Sequence, residues 1–229
     1  MATALLAAAG TGERLGADAP KALVDLAGRP MAWWSLQAMA GAAEVTAAVI
    51  AAPPGYEARL EALAAEAAPA LSARVVPGGA TRSDSVSLGL AEAGDAEIVV
   101  VHDAARPMVT AELFDRCISQ LSGWGCDGVV AAARAVDTVK EAGAGGRVLA
   151  TLERSRLWAV QTPQAFRAKA LAAAFAAGDL GRAYDDAQLV EAAGGDVRIV
   201  EAPRQNFKVT TPHDLRVAAW LLEERQHSG

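Results

Sequence analysis

A chain of 229 residues that is 52% hydrophobic and 21% charged, with 21 Gly and 10 Pro, is long enough for one large domain with a real core. That excludes a disordered, collagen-like or disulfide-stapled protein. Its 21 Lys and Arg against 27 Asp and Glu give a formal charge of −6, so no global basic surface exists for a nucleic acid and any polyanion it holds is small. No stretch reaches the roughly 18 to 20 uninterrupted apolar residues of a membrane span.

The opening MATALLAAAGTGERLG has a short apolar run with no basic residues before it. It reads as a strand entering a glycine loop rather than a secretory leader, and a cytoplasmic protein is expected. Similar apolar runs at 3–9, 45–51, 96–101 and 128–133 lack polar alternation and end at Gly, Pro or Asp, as strands covered on both faces do. Helical patterns lie between and after them at 31–43, 56–67, 83–93 and 110–121. The expected fold is α/β: a Rossmann-like, mostly parallel twisted sheet with helices on both faces, in a single domain over 1–229. Ligands of such a sheet gather at the carboxyl ends of its strands.

The rhythm breaks after residue 134. DTVKE and RVLATL flank a turn-rich 142–146 and read as a β-hairpin, an arm over 135–154 inserted into the domain. Residues 158–166, WAVQTPQAF, read as a rigid turn around Pro163. Helices at 169–177 and 185–193, a strand at 197–200 and a short strand at 206–209 follow. A last helix starts at Thr211-Pro212-His213-Asp214, where Thr can cap and Asp can complete a capping box.

Candidate chemistry sits in the loops. In Gly10-Thr11-Gly12-Glu13-Arg14-Leu15-Gly16, with Pro20-Lys21 beyond, glycines let backbone N–H groups approach an anion and two cations add fixed charge. The stretch is either a phosphate loop or an ordinary βα turn with solvated cations. It is not a Walker A loop, because Ala22 follows Lys21, and its GxGxxxG spacing and the missing acid after the second strand fail the dinucleotide fingerprint. Gly78-Gly79-Ala80-Thr81-Arg82-Ser83-Asp84-Ser85 opens a helix. It suits a base edge, ribose or phosphate, or is simply a good cap. His102-Asp103-Ala104-Ala105-Arg106 follows an apolar strand; Asp103 could hold a sugar hydroxyl or a hydrated Mg²⁺, and an Asp103–Arg106 ion pair would shape the turn.

Thr138, Lys140, Arg154 and Arg156 load the arm with donors, and read locally they are solvated. Tyr184-Asp185-Asp186 forms an acidic helix start, and Lys208 stands alone late in the chain. Trp33, Trp34 and Trp220 are expected in the core. Cys117 and Cys126 read as buried reduced thiols, and His102, His213 and His227 are too scattered for a zinc site.

Taken in order, LAAAGTGERLG…PK, GGATRSDSV, VHDAARP, DTVK, WAVQTPQAF, YDDAQLVE and NFKVTTPHDL resemble the 2-C-methyl-D-erythritol 4-phosphate cytidylyltransferase family over nearly the whole chain. The resemblance implies transfer of CMP from CTP to the phosphate of methylerythritol phosphate, with Mg²⁺ and a homodimer whose arms exchange. It assigns transition-state stabilisation to Arg14 and Lys21 and positioning of the acceptor phosphate to Arg154 and Lys208. CTP would lie on Ala8, Ala9, Gly10, Thr11 and Gly12 with Gly79, Arg82, Ser85, Asp103 and Ala104. Asp103, Arg106, Thr138 and Thr162 would border the acceptor. Tyr184 departs from the threonine of many relatives, so no direct contact is transferred to it. Another polyol phosphate such as ribitol 5-phosphate, a Rossmann-type dehydrogenase and a non-catalytic nucleotide sensor are the competing readings.

Overall fold

The buried apolar runs do become strands. In the computed structural model, which describes residues 1–16, 19–178, 180 and 183–227, the chain begins with β1 (Ala2–Ala7), a small ribbon of β2 (Asp25–Leu26) and β3 (Arg29–Pro30), and α1 (Met31–Gly41). It continues through β4 (Val45–Ala52), α2 (Glu57–Ala67), β5 (Ser72–Pro77), α3 (Arg82–Ala91), β6 (Ile98–Asp103), α4 (Ala111–Trp124) and β7 (Gly128–Arg134). The hairpin β8 (Lys140–Ala142) and β9 (Val148–Thr151) leads to β10 (Trp158–Arg167), α5 (Ala168–Ala177), α6 (Asp186–Ala192), β11 (Val197–Glu201) and α7 (Pro212–His227).

Seven strands form one sheet in the order β11-β7-β10-β6-β1-β4-β5. Its neighbours are parallel except β10, which runs antiparallel to both β6 and β7. The period-two alternation of strand side chains divides the core. Leu6, Ile50 and Val100 meet Leu36 of α1, Leu60 of α2 and Phe114 of α4 on one face. Leu5, Val49 and Val99 meet Val86 of α3, Leu171 of α5 and Leu189 of α6 on the other. Burying each such Leu, Ile, Val or Phe contributes about 1.5 to 3 kcal/mol. A third cluster ties Leu15 of the first loop to Leu26, Met31, Val209 and Leu222, so the loop and α7 are fixed together.

Three expectations need correction. Residues 158–166 are not a turn but part of the ten-residue strand β10, whose pairing with β7 slips between Val160 and Gln164. Pro163, with no N–H to donate, sits in that slip. Residues 206–209 form no strand; Val209 N donates to Ala105 O at 2.8 Å and the rest is irregular. Trp220 is 59% exposed on α7, whereas Trp33 is buried in the core. Cys117 and Cys126 are free and buried, as expected. None of the helices among the described residues is long and apolar enough to cross a membrane.

Candidate active site

The site starts with the chain leaving β1. Gly12 has φ 76°, and a Cβ there would lie 2.8 Å from Lys21 Cβ, so only glycine permits this path. Lys21 N donates to Gly10 O at 3.2 Å, folding the loop back on itself. Arg14 and Lys21, seven positions apart in the sequence, thereby face one cleft.

The turn into α3 is built by reciprocal side-chain bonds. Thr81 N donates to Asp84 Oδ2 at 3.0 Å and Asp84 N donates to Thr81 Oγ1 at 3.1 Å, the capping box that the spacing suggests. Ser85 Oγ accepts from Gly79 N at 3.0 Å and donates to Thr81 O at 2.9 Å. A Cβ on Gly79 would meet Asp84 Cβ at 2.3 Å, so this corner too requires glycine. The same box recurs at α7: Thr211 N donates to Asp214 Oδ2 at 2.8 Å, and Asp214 N donates to Thr211 Oγ1 at 3.2 Å.

Asp103, at the carboxyl end of β6, is the hub. Arg82 Nε donates to its Oδ1 at 2.8 Å and Lys208 Nζ to its Oδ2 at 2.6 Å. Arg82 Nη1 lies 2.9 Å from Asp186 Oδ2. A row of alternating charge, Lys208–Asp103–Arg82–Asp186, results. The Asp103–Arg106 ion pair expected from the sequence does not form. Arg106 instead donates through Nη1 to Asn206 O at 3.0 Å and through Nη2 to Val160 O at 3.3 Å, because β10 and the 206–209 segment bring carbonyls to it.

Burial governs the charges here. It would raise the Asp103 pKa, but Arg82 and Lys208 hold that carboxyl well below the usual range. Burial, then Lys208 and Arg14, pushes Lys21 down to about 8. Burial pushes His102 down to about 3, so its ring is neutral at ordinary pH. His102 Nε2 then donates to Arg106 O at 3.3 Å and Nδ1 accepts from Thr162 Oγ1 at 3.0 Å. Thr162 Oγ1 in turn accepts from Asp103 N at 3.1 Å, which leaves each of these groups a consistent role.

Two adjoining cavities flank the charged row. The larger, about 540 Å³, is lined by Ala8, Ala9, Gly10, Thr11, Gly12, Arg14, Lys21, Gly79, Arg82, Ser85, Asp103, Ala104 and Lys208. The smaller, about 350 Å³, shares Arg82, Asp103 and Lys208 and adds Arg106 and Thr162. Thr138 and Arg154 line neither; Arg154 Nη1 donates to Val136 O at 2.5 Å on the arm itself. Sequence reasoning passed over Thr210 in the larger cavity and Gln161 and Gln164 in the smaller. Two glutamines flanking Thr162-Pro163 inside an apolar segment were the available signal for the latter pair. Among the described residues no three His, Cys, Asp or Glu side chains are grouped to hold a metal, and both Asp103 oxygens already accept from cations, so the donor set does not form a protein-made metal cage.

A mostly parallel sheet that carries a glycine loop, converging cations and a charged row at the carboxyl edge of its parallel strands defines a nucleotide-binding α/β protein. Comparison narrows the class. The family of 2-C-methyl-D-erythritol 4-phosphate cytidylyltransferase matches residues 2–224, and the chain belongs to that family. A relative of that name from Synechococcus elongatus is 42% identical over 98% of this chain and 97% of its own length. One from Nocardia farcinica is 44% identical over 97% and 94%. Among solved structures, a 4-diphosphocytidyl-2C-methyl-D-erythritol synthase from Anaerococcus prevotii superposes with a TM-score of 0.84 at 27% identity, covering 97% of this chain and 98% of that one. The 2-C-methyl-D-erythritol 4-phosphate cytidylyltransferase of Thermus thermophilus gives 0.77 at 34% identity, covering 96% and 98%.

Proposed function

We propose that this chain transfers CMP from CTP to the phosphate of 2-C-methyl-D-erythritol 4-phosphate, releasing pyrophosphate, in the non-mevalonate route to isoprenoids. The observation that carries this reading is the convergence of Arg14, Lys21, Arg82 and Lys208 on one cavity with the glycine loop, where burial, then Lys208 and Arg14, pushes Lys21 down to about 8. Cations that share one cavity repel one another, and a polyphosphate relieves the repulsion. A phosphate oxygen of the acceptor attacks the α-phosphorus of CTP, the bond from that phosphorus to the bridging oxygen breaks, and pyrophosphate leaves with the bond's electron pair. Arg14 and Lys21 donate to the charge that gathers on the α-phosphate and leaving group. The phosphate acceptor is anionic near neutral pH, so no general base is needed.

The larger cavity takes CTP: the backbone of Ala8 to Gly12, Gly79 and Ala104, with Arg82, Ser85 and Asp103, frames the nucleotide. Lys208, Arg106 and Thr162 face the acceptor on the smaller side. Magnesium enters with the triphosphate as part of the substrate, sharing its charge, and excess EDTA abolishes turnover. A single domain over 1–229 carries the site. The 135–154 arm reaches a second copy in a homodimer, so that Arg154 of the partner subunit and Thr138 of the partner subunit complete the acceptor side. Support for the arm comes from its exposed Val136, Val148 and Leu149 and from the marginal stability of a lone hairpin in water. A cytoplasmic setting fits the two unpaired thiols.

The test is pyrophosphate release by purified protein with CTP, Mg²⁺ and a panel of polyol phosphates. Release with methylerythritol phosphate and not with ribitol 5-phosphate is expected. Turnover of ribitol 5-phosphate alone would reassign the acceptor, and CTP binding without release under any condition would make the protein a sensor.

A further inference from the structure

Asp186 is fully buried, yet none of the chemistry above uses it. A carboxylate in that place is expensive unless paired. Capping does not account for it, because α6 is already capped by its neighbour: Asp185 Oδ1 accepts from Gln188 N at 2.9 Å. Nor does α6 need the charge to pack, since its neighbours Ala187, Leu189 and Val190 are apolar members of the core. The partner of Asp186 is Arg82, 2.9 Å from Nη1 to Oδ2 and off hydrogen-bonding alignment, and Asp186 Oδ1 has no hydrogen-bond partner. Arg82 is gripped at two corners of its planar fork, Nε by Asp103 and Nη1 by Asp186. It lines both cavities.

We propose that Asp186 is a positioning residue for the nucleotide: by holding the second corner of the Arg82 guanidinium it fixes that side chain in the wall between the cavities before CTP arrives. The proposal rests on the assignment of Arg82 to the nucleotide. One carboxylate leaves a guanidinium free to pivot about the shared bond; two carboxylates on different atoms fix its plane. Ligand binding then spends nothing on ordering the wall. Position and charge make opposite demands on this residue. If Asp186 acted only through its charge, neutralising it would leave the cleft more positive and favour the anionic triphosphate.

The experiment is steady-state kinetics of Asp186→Asn, Asp186→Glu and Arg82→Ala beside the wild type, varying CTP and acceptor separately, with melting followed by circular dichroism. Asparagine keeps the size and an acceptor oxygen. The expected result for Asp186→Asn is a KM for CTP raised about tenfold, by analogy with the lower end of the loss when the outer partner of a metal ligand is removed, with kcat, acceptor KM and melting temperature near wild type. A CTP KM that is unchanged or lower overturns the proposal, and so does a lowered melting temperature with CTP KM unchanged, which marks a merely structural acid. Should Asp186→Asn fail to fold, Asp186→Glu, which keeps the charge and displaces it by one methylene, decides in the same way: a raised CTP KM supports the proposal and an unchanged one overturns it. Arg82→Ala separates the two layers. If it leaves CTP KM unchanged, the nucleotide assignment falls and the proposal with it; if it raises CTP KM while the folded Asp186 variants do not, only the proposal falls.

Discussion

The carboxyl end of the sheet and the 135–154 arm are held by opposite means. In the cleft, Asp103 takes Arg82 from 21 residues away and Lys208 from 105 residues away, Arg106 reaches a carbonyl 100 residues on, and the core clusters lock the elements that carry them. On the arm, bonds are local: Lys140 Nζ donates to Thr151 Oγ1 across the hairpin at 2.6 Å, and Arg154 to Val136 O, while apolar side chains face outward. A group with partners from several elements is preorganised before any ligand binds, whereas a group with neighbours only on its own hairpin has an orientation but no site. In the function proposed above, the nucleotide half is complete within one chain and the acceptor half is finished by the arm of another.

The largest expected effect is on the cleft's cations. Arg14→Ala or Lys21→Ala lowers kcat by roughly 10² or more, since a preorganised donor to developing charge is worth about 3 to 4 kcal/mol, with the circular dichroism spectrum unchanged. Single-turnover assays at saturating substrates measure it; wild-type kcat in either variant removes that residue from the chemistry. Next comes the arm. Arg154→Ala raises the acceptor KM by roughly 10 to 10²-fold, as loss of a charge-assisted phosphate contact costs about 1.5 to 3 kcal/mol, while CTP KM changes little. If both KM values rose together, the arm would serve the nucleotide as well and the division between the regions would dissolve.

A smaller effect sharpens the account of the loop. Gly12→Ala forces a side chain into left-handed backbone and against Lys21 Cβ, a strain of about 1 to 2 kcal/mol, and is expected to weaken CTP roughly 5- to 30-fold at unchanged acceptor KM. The smallest effect is on pH. Lys21 must be protonated to serve a phosphate, so kcat/KM for CTP falls as pH rises through about 8. Stability moves the other way. The unfolded lysine keeps its proton up to its ordinary value of about 10.5 whereas the folded one releases it near 8, so between those values the unfolded state binds more protons and stability rises with pH. Melting temperature of the wild type compared with Lys21→Met across that window checks the sign; a flat difference would show that burial and the neighbouring cations do not lower the Lys21 pKa.

Where chemistry depends on neighbours in sequence, it could be read directly. The Thr81–Asp84 and Thr211–Asp214 boxes act over three residues and the glycine loop with its lysine lies within residues 10–21, and the buried strands β1, β4, β6 and β7 announce themselves as unbroken apolar runs. Where it depends on tertiary partners, it could not. Arg106 looked like a partner for Asp103 three residues away, but β10 supplies carbonyls that only the folded sheet brings near. β10 was mistaken for a turn because Pro163 argues against a strand, and the slip in register that accommodates it is invisible locally. Lys208 is expected on a short strand at 206–209 that does not form; Asp103 and the Val209 bond anchor the segment instead. Asp186 read as a helix-start acid because its burial comes from the packing of α6, not from its own neighbourhood.

The division between a self-contained cleft and a shared acceptor side is tested most directly by mixing subunits. Lys21→Ala leaves a chain with a sound arm and a defective cleft, and Arg154→Ala leaves the converse. A symmetric dimer that exchanges arms rebuilds one intact site and one doubly defective site in the mixed pair. After subunit exchange verified by native mass spectrometry, the mixture is expected to recover, in each heterodimer, about half the activity of a wild-type dimer. Activity no greater than the average of the two parent variants, with heterodimers present, would show that each arm serves its own cleft and would contradict the account.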